Sequence, residues 1–559
     1  MATGDDFDVI VIGSGFGGSV MTCRLSERGQ HVCLLERGKS YGMYEFPRRM
    51  EDVRERVFWD PNDRKYGFIE MRDYPESDVA SVSASGLGGG SLIYANVLMR
   101  MRAEFFKDWP GDITRERLDP FYDRALEMLE ASPYPFETDA YYADTPKTAA
   151  FKAAAARVSA SNKDTGVSRE FLLPHLAVRF EGAFPGDQTL NKQGVKQSSC
   201  TKCGECDIGC NIHAKNTLDL NYLAHARQLP VTPAEIRTHA QVSEIRPLEA
   251  GGYQVTYADP EHPEDRHAVT ARRVVVSAGS IGSTGLLLRM KRDGILPNLS
   301  DRLGQNWCGN GDLEATVLFT ERDVVPTNGP VITAAVQYGY DTPYPDGFPH
   351  GFVMQDAGFP SFIAWYVVGK LPSIGSALPR LRVVFRAVVG AVKGLFRMVT
   401  RNEVNIGNDV SDLMDNDNYL RRTFVLLGMG RDRSDGHIEL RDDGEPIVKW
   451  EIDGSSLHYD RVRTEMKRIA RALGGHFVEN PLGKFRKIIA VHPLGGCPMG
   501  NSQDEGVVDP GGEAFGHPGL YVVDASILPT SVGVNPSLTI AAMAEYIAER
   551  FPETDRRER

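Results

Sequence analysis

The chain has no surplus of basic charge. Lys and Arg number 63 against 75 Asp and Glu, a formal net charge of -12, which argues against a general nucleic-acid binder. It has no apolar run near the ~20 residues a spanning helix needs. The opening MATGDDFDVIVIG has neither a basic leader nor a cleavable apolar stretch before the first strand, which predicts a chain kept in the cytoplasm as made. Internal repeats, long linkers and low-complexity tracts are absent too. Cysteine is scarce, at 8 in 559 residues, and a reducing compartment leaves thiols unpaired. What remains is the balance of a globular protein, 42% apolar and 25% charged, long enough for two or three domains.

The first 36 residues carry a nucleotide signature. Asp8-Val9-Ile10-Val11-Ile12 is an apolar run of the kind buried on both faces of a parallel sheet. It leads into Gly13-Ser14-Gly15-Phe16-Gly17-Gly18, then a helix-like SVMTCRLSERG, then HVCLLE ending at Glu36. G-x-G-x-x-G alone is a weak signal. Between a strand and a helix, with an acid about 20 residues on, it reads as a dinucleotide fingerprint. Gly13 permits the tight turn, Gly15 lets backbone approach a pyrophosphate, and Gly18 lets helix and strand pack. The helix N-terminus favours the phosphates, and Glu36 is placed to accept from a ribose. Gly13, Gly15, Phe16, Gly18, Glu36 and Arg37 are the cofactor candidates of this unit. NAD and FAD remain open on these residues.

Four further landmarks follow in order. They are GLGGGSLIYAN from Gly86 to Asn96, RVVVSAG from Arg273 to Gly279, VHPLGGC from Val491 to Cys497, and GLYVVDASILPTSVGVNPSLTI toward the end. With these the chain resembles the glucose-methanol-choline (GMC) family of FAD-dependent alcohol oxidoreductases, and within it the bacterial cholesterol oxidase branch. The resemblance covers roughly half the chain, and the ordered set is far more specific than the first glycine turn. It implies an α/β fold: a Rossmann-like FAD-binding domain assembled from separated segments, 1–105, 196–315 and 485–559. An α+β substrate-binding domain, 106–195 and 316–484, is inserted between them. It implies that Gly89, Gly90, Ser91 and Asn96 lie along the flavin, that Asp524 meets the ribityl or phosphate region, and that Val242 contacts adenine through its backbone. Asn535, Pro536 and Ser537 open a helix beside the ring.

His492 and Asn535 match the family's catalytic pair. A neutral imidazole can take a hydroxyl proton near neutral pH, while an asparagine amide can orient the hydroxyl by donating or accepting. The resemblance implies oxidation of a bulky, apolar, sterol-like 3β-hydroxy alcohol to the ketone, by hydride transfer to flavin N5. Either O2 or an external acceptor would take the electrons. No histidine lies between Met71 and Met101, so noncovalent FAD is expected. Relatives that also isomerise a steroid ring use a glutamate near a strand that resembles Arg422–Met429, and none lies by Arg421. The Tyr94–Val97 stretch also departs from the sterol oxidases, so the substrate is less firmly implied than the reaction.

Two stretches stand outside that scheme. Cys200, Cys203, Cys206 and Cys210 have the C-x2-C-x2-C-x3-C spacing of bacterial ferredoxin clusters, with Asn211 in place of the usual following proline. An iron–sulfur cluster, zinc and a loop of unmetallated thiols are the open readings, and zinc is the least natural without a second distant knuckle. A cluster would make the protein a dehydrogenase for long-chain or terpenoid alcohols, passing electrons to an external acceptor. The second stretch, Ala357 to Asn402, has no Asp or Glu. Apolar positions from Leu378 to Val399 recur at helical spacing, with Arg382, Arg386, Lys393 and Arg397 on another face. Residues 378–401 are expected as an amphipathic helix, either core-facing or touching a membrane peripherally.

Overall fold

The computed structural model describes residues 6–161, 166–340, 351–360, 420–479 and 487–553; the basic segment 378–401 lies outside them. Strands Phe7–Ile12 and Val32–Leu35 are buried at every position, as continuous apolar runs require. They pair in parallel across the helix Phe16–Glu27. Phe7–Ile12 pairs on its other side with the inner half of the long strand His262–Val276. Leu520–Val522 pairs beyond that strand, and Glu235–Arg237 beyond Val32–Leu35. Five parallel strands therefore come from three distant parts of the chain. The outer half of His262–Val276 instead turns antiparallel with Tyr253–Asp259, which pairs with Gln241–Pro247. The last helix, Ser537–Arg550, buries most of its residues and packs on Phe16–Glu27. The fold is α/β with a Rossmann-like dinucleotide-binding unit.

A second, six-stranded antiparallel sheet runs His476–Glu479, Leu313–Leu318, Phe424–Gly430, Phe352–Ala357, Ile332–Tyr340, Val167–Leu172. One of these strands spans position 315. Successive side chains point to opposite faces, and the two faces join different cores. Phe424, Leu426, Phe352, Met354 and Val336 pack with Tyr459, Val462, Met466 and Ile469 of the helix Ser456–Ala472. Those helical positions recur every three or four residues, and burial of each such side chain contributes about 1.5–3 kcal/mol. Leu427, Met429, Val353 and Ala335 face the other way, into the core shared with the nucleotide unit.

AYYADTPKTAAFKAAAARVSA reads as one helix but forms two, Ala140–Ala143 and Pro146–Ser161. Pro146 lacks the amide that a helix interior needs and is tolerated in the first turn. Among the described residues no helix is long and apolar enough to cross a membrane.

Candidate active site

Gly13 sits at φ 95°, the left-handed region that glycine enters without strain. A Cβ on Gly18 would stand 1.9 Å from the Gly13 carbonyl oxygen, whereas one on Gly15 would meet nothing within 4 Å. The turn is therefore packed tight on the sheet side and open where a phosphate would approach. The second glycine run lies on it: a Cβ on Gly89 would be 2.6 Å from Gly15 Cα, while Gly90 faces open space. Phe16 opens the helix and is buried.

Glu36 joins the two runs. Its Oε2 accepts from the amide (3.0 Å) and hydroxyl (2.6 Å) of Ser14, and its Oε1 from the amides of Gly38 (2.9 Å) and Gly86 (3.2 Å). A ribose hydroxyl would share a carboxylate that already clasps the cradle. Arg37 pairs with Glu70 at 2.6 Å and lies over Trp59. Ala240 donates to the Glu36 carbonyl at 2.9 Å, which holds Val242, half-buried in Gln241–Pro247, near the same corner.

Ser91 is buried and engaged with Gly88 and Leu218. Asp524 takes four donors: Gly279 and Ser283 on one oxygen, the amide and hydroxyl of Ser526 on the other. Burial still pushes its carboxyl up. Pro536 caps the helix beginning at Ser537, whose hydroxyl reaches the Val97 carbonyl at 3.4 Å. Asn96, at φ 70° and fully buried, has neither side-chain amide atom hydrogen-bonded. Buried polar groups almost always have partners. An orphaned amide beside two open glycine faces and a helix N-terminus fits an FAD held along Gly89–Asn96.

His492 follows the strand Ile488–Ala490. Its Nδ1 lies 2.8 Å from Asp312 Oδ1, and the amides of Val491 and His492 donate to Asp312 Oδ2 at 2.9 and 3.0 Å. A carboxylate oxygen accepts, so Nδ1 is the donor of this pair, and in a neutral ring Nε2 is then the acceptor. Two residues earlier, Asn310 accepts from Val532 and Gly533 at 3.0 and 2.9 Å and donates to the Val534 carbonyl at 2.8 Å. These bonds fix the turn that carries Asn535. The segment Asn310-Gly311-Asp312 thus clamps both members of the expected pair, though nothing in CGNGDLEA marks it apart from an ordinary turn.

Asn535 is paired with Gln355, which donates from Nε2 to Oδ1 at 2.7 Å; the return bond from Nδ2 is long, at 3.4 Å. The carbonyl is committed, which leaves Asn535 as a donor toward the site. Gln355 stands in register with Leu427, and Leu427 with Glu314, so all three project from the same sheet face. Met429, Val353 and Ala335 lie on that face beside them. Glu314 opposes the segment around Arg421–Met429, where no glutamate lies in sequence. Burial pushes its carboxyl up to about 7, helped by the negative charges of Asp312 and Asp207 and opposed by His492.

The cysteine run folds between the second glycine run and this sheet. All four cysteines are free and line one small space of about 20 Å³, with Cys203 exposed at its edge, room for roughly one water. Burial and the neighbouring thiols push Cys203 up to about 12 and Cys200 higher. Lys215 donates to the carbonyls of Leu92, Tyr94 and Cys206 and is lowered by burial to about 8. Among the described residues, the group of three or more candidate ligands with every donor atom within 4.8 Å is Cys23, Glu27 and His225. The four sulfurs are therefore not drawn together as around a single zinc ion. Cys23 and Cys33 are both buried.

Family models described as GMC oxidoreductase match residues 7–308 and 432–544. The chain is 32% identical to a cholesterol oxidase of Mycobacterium tuberculosis over 575 residues, covering 99% of this chain and 93% of the relative. It is 29% identical to a 2-methyl-1,2-propanediol dehydrogenase of Mycolicibacterium austroafricanum, covering 98% and 96%. Among solved structures, pyridoxine 4-oxidase from Mesorbium loti superposes with a TM-score of 0.57 at 18% identity, covering 97% of this chain and 99% of that one.

Proposed function

The chain belongs to the GMC oxidoreductase family and is an FAD-dependent alcohol oxidoreductase, and on that footing we propose that it oxidises a bulky apolar secondary alcohol of the 3β-hydroxysterol kind to its ketone, with O2 as acceptor. FAD when bound supplies a hydride acceptor at N5. His492 takes the hydroxyl proton at Nε2, while Asp312 fixes the tautomer and balances the imidazolium charge. Asn535 donates to the substrate oxygen from Nδ2, held by Gln355. Leu427, Met429, Val353 and Ala335 give an apolar wall suited to an alicyclic body. The observation that carries this reading is the 2.8 Å contact between His492 Nδ1 and Asp312, since it makes Nδ1 the donor and so turns Nε2 of the neutral ring into the acceptor.

Replacing His492 with Ala should slow reduction of the flavin by a sterol about 10²–10⁴-fold with FAD still bound. Undiminished reduction in anaerobic stopped-flow overturns the assignment.

A second reading keeps the electron-passing dehydrogenase, because four cysteines line one small space. Iron and acid-labile sulfide in anaerobically purified protein would carry that reading. A flavin-only spectrum without either sinks it.

A further inference from the structure

Two helices of the nucleotide unit bring three metal-ligating side chains together outside the active site. Cys23 and Glu27 lie one turn apart on the helix Phe16–Glu27, and so on one face of it. His225 reaches that face from the last turn of the helix Tyr222–Gln228. A thiol sulfur, a carboxylate oxygen and an imidazole nitrogen converge there, all within 4.8 Å of one another. Glu27 Oε1 and His225 Nε2 stand 2.8 Å apart, and Cys23 is fully buried beneath them. A carboxylate and an imidazole alone would be an ordinary surface pair, worth little. Such a pair has no need of a thiol within reach of both.

We propose that Cys23 Sγ, Glu27 Oε1 and His225 Nε2 hold a zinc ion, with water in the fourth position. The Zn–S bond forms as the thiol gives its proton to water, and the neutral imidazole keeps its one proton on Nδ1. No electrons move. Bonds of about 2.0–2.3 Å set the ligand atoms of a tetrahedral zinc about 3–4 Å apart, so the side-chain ends need shift by only about 1 Å. The sulfur ligand selects against calcium and magnesium, which take oxygen.

The surroundings hold these donors in place. Arg24 gives Nη1 to Glu27 at 2.8 and 3.1 Å, and gives Nε and Nη2 to Glu545 at 2.8 to 3.0 Å. Glu545 also accepts from the Tyr222 hydroxyl at 2.8 Å. Both ligand-bearing helices are thus tied to one buried carboxylate, which fixes the gap between them. Glu545 answers the charge of Arg24. Glu27 can therefore keep Oε2 on Arg24 and offer Oε1 to the metal, as ligands oriented by an outer partner do. Glu27 also ends its helix, where the last carbonyls favour a cation. Burial pushes the Cys23 thiol far above its usual range, so without metal it stays protonated and inert. A coordinated thiol loses that proton outright. The ion would brace the two helices behind the cradle and take no part in the oxidation.

The test uses the FAD-loaded full chain, stripped with a chelator and titrated with Zn²⁺ against a chromophoric zinc indicator. One equivalent should bind first, and the thermal midpoint should rise with free Zn²⁺. Cys23→Ser and His225→Gln should each weaken that equivalent by about a hundredfold or more and abolish the rise. Co²⁺ in place of zinc should give the ligand-field bands of a tetrahedral site with sulfur charge transfer, and Cys23→Ser should lose them. A chain that takes up no zinc overturns the proposal. So does an equivalent that survives Cys23→Ser and departs with Cys203→Ser, which would place the ion in the cysteine loop. An equivalent that no variant weakens is an adventitious ion only and overturns it too. Should Cys23→Ser not fold, zinc-edge X-ray absorption of the wild type decides. One sulfur among nitrogen and oxygen neighbours supports the site, while none, or more than one, overturns it. Neither outcome bears on His492, whose assignment keeps its own test.

Discussion

At Asn96 the chain buries a side-chain amide completely and gives neither polar atom a partner. In a dry protein interior such an amide costs about 1–3 kcal/mol, so the site makes sense when a ligand satisfies it. Its φ of 70° restricts the replacements that test this: a branched residue would add strain, while glycine keeps the backbone. Asn96→Gly should weaken FAD retention by about tenfold or more, read by fluorescence of released flavin. The apoprotein should lose little or gain slightly in urea unfolding. Unchanged FAD affinity would show that the amide does not serve the cofactor. Glu36 and Asp524 behave differently. Each already has four protein donors, so both hold the cradle together whatever else they bind.

One extended segment organises the site at the level of elements. Cys308 and Leu494 exchange backbone hydrogen bonds at 3.1 and 3.0 Å, laying the chain before Asp312 antiparallel to the stretch after His492. Asn310→Ala should free two amides and a carbonyl in the 532–534 turn and cost about 1–3 kcal/mol. Turnover should fall further than affinity for FAD, because Asn535 loses its fixed position. A variant as active and as stable as wild type would remove the clamp from the account. Much of the nucleotide unit was legible because its signal is contiguous: strand, glycine turn, helix and acid fall within 36 residues, and glycine geometry is a local constraint. The clamp was not legible, since an Asn-Gly-Asp sequence reads as a turn until its partners 179 to 224 residues away are known. Glu314 escaped for a related reason. Its relation to Leu427 is cross-strand register, and register is set by sheet pairing across the whole domain. For the cysteines, spacing left a cluster, zinc and unmetallated thiols open, because it carries no information on how far apart the folded loop holds the sulfurs.

The whole molecule carries its negative charge unevenly, and its buried part has a measurable consequence. Burial pushes the carboxyls of Asp207, Glu314 and Asp432 up to about 7, well above the usual carboxylate range. An acid raised this way binds its proton more tightly folded than unfolded, so folding takes up protons between roughly pH 4 and 7. Stability should therefore rise as pH falls from about 8 toward about 5, each proton contributing at most about 1.4 kcal/mol per pH unit. The net charge of -12 pulls the same way, because protonation relieves self-repulsion. Glu70 opposes the trend only at lower pH. Burial would raise it, but Arg37 and Arg72 overcome that and hold it at about 2, so its contribution is complete above about pH 4.5 and is lost below. The thermal midpoint of the FAD-loaded chain, followed from about pH 8 to about pH 3, should climb to a maximum near pH 5 and then fall. Asp432→Asn should flatten the climb without moving the acid limb, since Asp432 is already protonated where Glu70 begins to titrate. A midpoint that holds level or drops between about pH 8 and about pH 5 would mean that these carboxyls are solvated in solution and not held neutral by burial.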